Sequence, residues 1–368
     1  MKMLNKIIKA ILILMTIGTL SSCKKDKDVK MVVQNDKIQL GKKIFFDKNL
    51  SRPMGQSCSS CHSSETGFSD LNHNIVSEGA VDGLFGNRNA PNVAYAMFSS
   101  PLYYDLVDSA YVGGFFHDGR VNSLEEQAVK PFFNPLEMNL ENVSMLISKI
   151  RSSNYFSLYK DVYGDLTDES KALKNIANAI AAYEQSSEVN PFSSKYDYYL
   201  KGQAILTSQE TRGLKIFTDT TKGKCANCHV IEPDEETGKV LFTDFTYDNI
   251  GLPKNLNNPY YTMTASHNPM GASYIDNGLG AFLNNISFNG QFKVPSLRNV
   301  AISAPYFHNG VFNTLEETVS FYNHRDSLFT NPEVASTVNK TELGNLKLSS
   351  QEEKDLVAFL KTLTDGYK

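Results

Sequence analysis

Cys58-Ser59-Ser60-Cys61-His62 and Cys225-Ala226-Asn227-Cys228-His229 are the stretches of this chain best suited to chemistry. Each is a C-x-x-C-H, the spacing that attaches a c-type haem. Two thiols three positions apart reach the two vinyl groups of one porphyrin, and the next residue places an imidazole under the iron as proximal ligand. Two C-x-x-C pairs with nearby His can also make a structural zinc site, and a redox dithiol can be followed by His by chance. Thioether attachment happens after export, so the N-terminus bears on the choice.

Lys2, Lys6 and Lys9 precede an apolar run from Ala10 to Leu20, followed by Leu20-Ser21-Ser22-Cys23. A basic segment followed by a short apolar one is an export signal, too short for a comfortable membrane span. Residues 1–22 therefore read as a signal peptide that ends on a lipoprotein-type Cys, with an uncleaved anchor helix as the other reading. Cys23 then becomes the lipid-modified first residue of the mature protein. Residues 23–38, with the polar run from Lys24 to Lys30, form a tether on the periplasmic side of the cell envelope. Of five cysteines, Cys23 goes to lipid and four to haem, which leaves none for a disulfide or a catalytic thiol.

The elements that must position these motifs repeat. Gly41-Lys42-Lys43-Ile44-Phe45-Phe46-Asp47 precedes the first and Gly213-Leu214-Lys215-Ile216-Phe217-Thr218-Asp219 the second. Each reads as the end of an amphipathic helix leading into a haem loop, and two copies imply two cytochrome-c-like modules. Leu173, Ile176, Ala177, Ile180 and Tyr183 keep a helical repeat, as do Leu356, Phe359, Leu360 and Leu363. Ser123–Glu126, Thr207–Glu210, Thr314–Glu317 and Ser349–Glu352 are capping boxes. Lys239 to Phe245 reads as a short strand. The fold class is mostly α: two haem domains with long loops, at 39–190 and 191–368, joined near Ser186 to Gln203. The last helix is free to return onto the first domain. A chain of 368 residues suffices for two domains, and a net charge of −4 without a long basic stretch gives nucleic acid no electrostatic support as a partner.

Further stretches resemble the bacterial di-haem cytochrome c peroxidase family. They are Arg88-Asn89-Ala90-Pro91, His117-Asp118-Gly119-Arg120, Leu124-Glu125-Glu126-Gln127-Ala128, Pro135-Leu136-Glu137-Met138, Pro295-Ser296-Leu297-Arg298-Asn299 and Ala304-Pro305-Tyr306-Phe307-His308. The similarity runs from about Gln39 to the C-terminus with order and spacing preserved. It implies that His62 serves a peroxidatic haem and His229 an electron-transfer haem. It also places Gln127 and Glu137 above the first, where a carboxylate can move a proton between the two peroxide oxygens. Hydrogen peroxide and a small c-type cytochrome become the expected partners, and family members are often homodimers. The family further implies a calcium ion held by Asn89, Ser303 and Pro305; an Asn beside a Pro is also an ordinary turn former.

Three departures from the family pattern matter. Ser77 to Gly83 contains no His to cap the first iron, which predicts an open site; His73 lies earlier and is the substitute to consider. The distal Met of the second haem is matched by Tyr322, as in the methylamine-utilisation branch that oxidises tryptophans of a partner protein. His324, Met263 and Met270 are the other candidates for that ligand. The Trp between the haems is matched by His117, an imidazole harder to oxidise than an indole. Besides peroxide reduction, peroxide-dependent oxidation of a protein or organic substrate and plain electron transfer stay open.

Overall fold

The computed structural model of the chain describes residues 34–235 and 237–368. The signal segment 1–22, Cys23 and most of the tether lie outside the described residues. Helix α1 runs through residues 34–45. The last residues expected in the tether are thus helical, because Ile38 and Leu40 already belong to the repeat that ends in the buried Ile44 and Phe45.

After α1 come the single turn α2 (Cys58–Cys61), α3 (Leu124–Ala128), α4 (Lys130–Phe133), α5 (Val143–Arg151), α6 (Phe156–Tyr163) and the long α7 (Glu169–Glu184). Then follow α8 (Lys195–Leu200), α9 (Ser208–Thr218), α10 (Gly278–Leu283), α11 (Leu315–Leu328) and α12 (Ser350–Lys361). Two small antiparallel ribbons complete the set: β1 (Tyr103–Asp105) with β2 (Ala110–Val112), and β3 (Tyr247–Asp248) with β4 (Phe292–Lys293). The fold is mostly α with long loops. Lys239 to Phe245 is not a strand, since Phe242 and Phe245 take left-handed backbone (φ 56° and 57°) that interrupts an extended ladder.

One apolar cluster extends from Leu40 to Val189 and a second from Tyr196 to Leu363. Each is organised by one of the repeated helices. A Cβ on Gly41 would lie 1.8 Å from the carbonyl oxygen of Ala179 on α7, and one on Gly213 would lie 2.0 Å from that of Asp355 on α12. Only glycine lets the two backbones of each pair approach so closely. Phe45 and Phe217, four residues after their glycines, are then fully buried against Tyr183 and Phe359 respectively. The last helix accordingly packs on α9 within the C-terminal cluster, and residues beyond it reach the first half. Asp365 accepts from Tyr95 Oη at 2.7 Å and from Asn299 Nδ2 at 2.9 Å.

The boxes at Thr207, Thr314 and Ser349 form in full. At Ser123 the hydroxyl accepts from Glu126 N, whereas the Glu126 carboxylate takes the N–H of Asn122. Connecting residues near 190 are pinned: Asn190 is buried and accepts from Tyr95 N at 2.6 Å.

Candidate haem centres

Both motif imidazoles are half-buried and anchored alike. His62 Nδ1 lies 3.3 Å from the carbonyl of Phe68, and His229 Nδ1 lies 3.0 Å from that of Phe242. Both phenylalanines have positive φ, which turns their carbonyls back toward the rings. Burial holds both imidazoles below the usual histidine range, His229 down to about 4, so each is neutral, as an iron ligand must be. With Nδ1 on a backbone carbonyl, Nε2 is the atom that would take a metal.

The four motif cysteines are unpaired, and burial pushes their thiols up: Cys61 to about 11, Cys225 and Cys228 to about 12. Such thiols are poor redox nucleophiles. Among the described residues no group of three His, Cys, Asp or Glu side chains is arranged to hold a metal ion, so a zinc reading lacks its ligand set. A cavity of about 330 Å³ runs from Cys225, Cys228 and His229 to Asn89, Pro91 and Gln127. Its walls include Phe217, Val294, Leu297, Val319, Leu356 and Leu360. Paired thiols, an anchored neutral imidazole and an apolar cavity fit a porphyrin.

Of the four candidates for the second distal position, Tyr322 alone lines this cavity. Burial pushes its hydroxyl up, with the neighbouring Cys228 and Cys225 adding to the shift. His324 instead sits near the surface, 3.3 Å from Glu353 Oε1, and Met270 is 58% exposed. His73 is exposed too, with Nδ1 2.7 Å from the carbonyl of Ala304.

Between the halves, His117 Nε2 donates to the carbonyl of Asn89 at 2.9 Å. Burial and the Arg88 charge push His117 down to about 4. Arg88 is bidentate on Asp276 and also bonds Asp118, at 2.6–2.7 Å. Two side chains here are not singled out by motif reasoning. His308 stacks on Phe292 (centroids 3.5 Å apart, 12°), and its buried Nε2 has no partner. Lys293 Nζ donates to Gly114 O at 2.5 Å, and burial pushes its pKa down to about 7. A sequence signal for His308 did exist: Phe115-Phe116-His117-Asp118-Gly119 is repeated as Tyr306-Phe307-His308-Asn309-Gly310. Phe116 and Phe307 both have positive φ, and each copy leads into an L-E-E helix start. Lys293 had no such signal, since only the packing makes its environment unusual.

In the N-terminal half, α3 presents Gln127 to the cavity. Glu137 accepts from Asn134 Nδ2 at 2.9 Å. Burial raises its pKa, while that hydrogen bond and the Arg120 charge moderate the shift. Its charge is felt by both Cys58 and Cys61, which puts it beside the first motif. Asn89 is buried, and its Nδ2 donates to the carbonyls of Asn74 and Ile75. Ser303 and Pro305 line the same cavity. No described helix is long and apolar enough to cross a membrane.

A mostly α chain with two anchored C-x-x-C-H loops, the second of them on an apolar cavity, is a two-haem c-type cytochrome. The family model described as di-haem cytochrome c peroxidase matches residues 35–205. The chain is 35% identical over 349 residues to the methylamine utilization protein MauG of Paracoccus denitrificans (strain Pd 1222), covering 89% of this chain and 88% of that one. It is 31% identical to a cytochrome-c peroxidase of Pseudomonas sp. (strain SCT), covering 89% and 81%. Among solved structures, the diheme peroxidase BthA of Burkholderia thailandensis E264 superposes with a TM-score of 0.76 at 34% identity, covering 89% and 86%. The protein belongs to the di-haem cytochrome c peroxidase family, and its cofactors are two c-type haems.

Proposed function

We propose that this protein is an enzyme that reduces hydrogen peroxide to water with electrons from a small c-type cytochrome or similar donor. The carrying observation is Glu137, a half-buried carboxyl held by Asn134 beside the first C-x-x-C-H motif, with Gln127 on the cavity wall. An electron carrier needs no acid–base group at that place. The haems, when bound through Cys58, Cys61 and His62 and through Cys225, Cys228 and His229, supply the electron transfer and the metal that holds peroxide.

Each remaining group then has a task. Glu137 takes a proton from the inner peroxide oxygen and returns it to the outer one, which turns the leaving oxygen into water. Gln127 donates a hydrogen bond to peroxide without titrating. His117, neutral and tied to Asn89 O, fills the space between the halves and keeps it dry. Asn89, Ser303 and Pro305 are the proposed calcium ligands; Asn89 uses its Nδ2 on two carbonyls, which leaves Oδ1 for a cation, and water would complete the shell. Export through residues 1–22 and anchoring through lipidated Cys23 complete the reading, as does a homodimer by family habit.

A second reading, peroxide-dependent oxidation of a protein or organic substrate, is favoured by Tyr322 on the cavity wall. A tyrosine ligand stabilises ferric iron and suits a substrate other than a reduced cytochrome. Steady-state peroxide-dependent oxidation of reduced small c-type cytochromes, with Glu137→Gln as control, separates the readings. Turnover by the resting ferric enzyme that is lost in Glu137→Gln is the expected result. Spectral change with peroxide but no cytochrome oxidation would move the assignment to the second reading, and no response to peroxide would leave an electron carrier.

A further inference from the structure

Glu184 is the last residue of α7 and is 8% exposed. Among the described residues its carboxyl meets neither a cation nor a hydrogen-bond donor; the bond at this residue is Asn190 Nδ2 to the backbone carbonyl. Three features oppose a negative charge here. The group is buried, Glu125 of α3 lies close by, and the C-terminal end of a helix carries a partial negative charge. The first two push its pKa up to about 8.

Other charged groups around it are accounted for. Cys58 feels Glu184 more than any other charge, which places the carboxyl beside the first motif. Tyr183, its neighbour on α7, shares a hydrogen bond with Glu188, and Glu188 pairs with Lys42 of α1. On α5, Lys149 is turned to Asn49 O and Arg151 to Leu166 O. Among the described residues no cation acts on Glu184 to offset these effects.

We propose that Glu184 is the redox-linked proton site of the N-terminal haem, taking up a proton when that haem gains an electron and releasing it on reoxidation. An electron added at the haem brings negative charge next to Cys58, and the protonated carboxyl is then favoured. Peroxide reduction consumes two protons with its two electrons (H2O2 + 2 e⁻ + 2 H⁺ → 2 H2O), so a dry site needs protons brought to it. Glu137 moves a proton between peroxide oxygens but adds none. Glu184 is a positioning residue in this scheme: it acts through the charge on the haem and does not touch peroxide.

The proposal rests on the two-haem assignment and not on peroxide turnover, so its test uses no peroxide. Spectroelectrochemical titration of the holoprotein between pH 6 and 10 is the experiment. The midpoint potential of the N-terminal haem should fall with rising pH over a window near pH 8, with one proton taken per electron, and level off on either side. Glu184→Gln should abolish the window and leave the C-terminal haem unchanged. It should also remove a protonated-carboxyl band from the redox difference infrared spectrum. Glu125→Gln, which keeps the carboxyl, should move the window to lower pH. A wild-type potential independent of pH, or an unchanged window in Glu184→Gln, would overturn the proposal. If Glu184→Gln fails to take up haem, an unmoved window in Glu125→Gln does the same.

Discussion

Gly41 meets the carbonyl oxygen of Ala179 with no room for a methyl group, and Gly213 repeats that contact on Asp355. The two contacts set how each haem-loop helix lies on the long helix behind it. Alanine at either glycine forces the backbones apart and should cost about 1–3 kcal/mol, as overpacking does. Equilibrium urea unfolding of Gly41→Ala and Gly213→Ala checks this, and a loss under about 0.5 kcal/mol, the scale of a surface change, would mean the contact is soft.

Glu137 should shape the acid side of the activity profile. It works as a proton acceptor, so activity rises as pH passes its pKa, which burial places above the ordinary carboxylate range. Asn134→Ala removes the hydrogen bond that moderates the shift, and the acid limb of kcat/KM should move to higher pH. Glu137→Gln should lower kcat by about 10²- to 10⁴-fold, the usual worth of such a group. An acid limb that does not move in Asn134→Ala would detach Glu137 from it.

Arg298 and Asp197 form a bidentate pair, at 2.8 and 2.9 Å, with the guanidinium fully buried. Asp197→Ala leaves that charge alone and should cost about 3–5 kcal/mol. Burial by itself would raise the Asp197 pKa, yet the Arg298 hydrogen bonds and charge hold it below the usual value. A depressed carboxylate contributes stability above its unfolded pKa of about 4 and loses it as pH falls through the folded value. Chemical unfolding from pH 7 to pH 3 should therefore show an acid loss in the parent that is smaller in Asp197→Asn.

If Tyr322 ligates the second iron, Tyr322→Met should raise the potential of the C-terminal haem, since a thioether favours ferrous iron and a phenolate ferric iron. Tyr322→Phe should change that haem's spectrum, while His324→Ala should leave it alone. An unchanged spectrum in Tyr322→Phe would remove Tyr322 from the coordination sphere.

Chemistry local to a few residues was legible in the amino-acid order. The haem motifs, the capping boxes at Thr207, Thr314 and Ser349, and the G-x-x-I-F repeat each depend on neighbours within a turn or two, so spacing states them. The mostly α class followed from the same helical periodicity. The strand expected at Lys239 to Phe245 failed because backbone turned by tertiary packing, with Phe242 reaching back to His229, outweighed β propensity.

Tertiary structure decided what depends on partners far along the chain. By type alone Tyr322, His324, Met263 and Met270 could each ligate, and only the family pattern puts Tyr322 first; the fold turns Tyr322 to the cavity and His324 to Glu353. Glu184 and Lys293 are ordinary charged residues by type, and their character comes from burial with no ion pair among the described residues. A pattern of types records which chemistry a chain can do. Burial and charge environment, which shift a proton's affinity, are sums over contacts that exist only once the chain has folded.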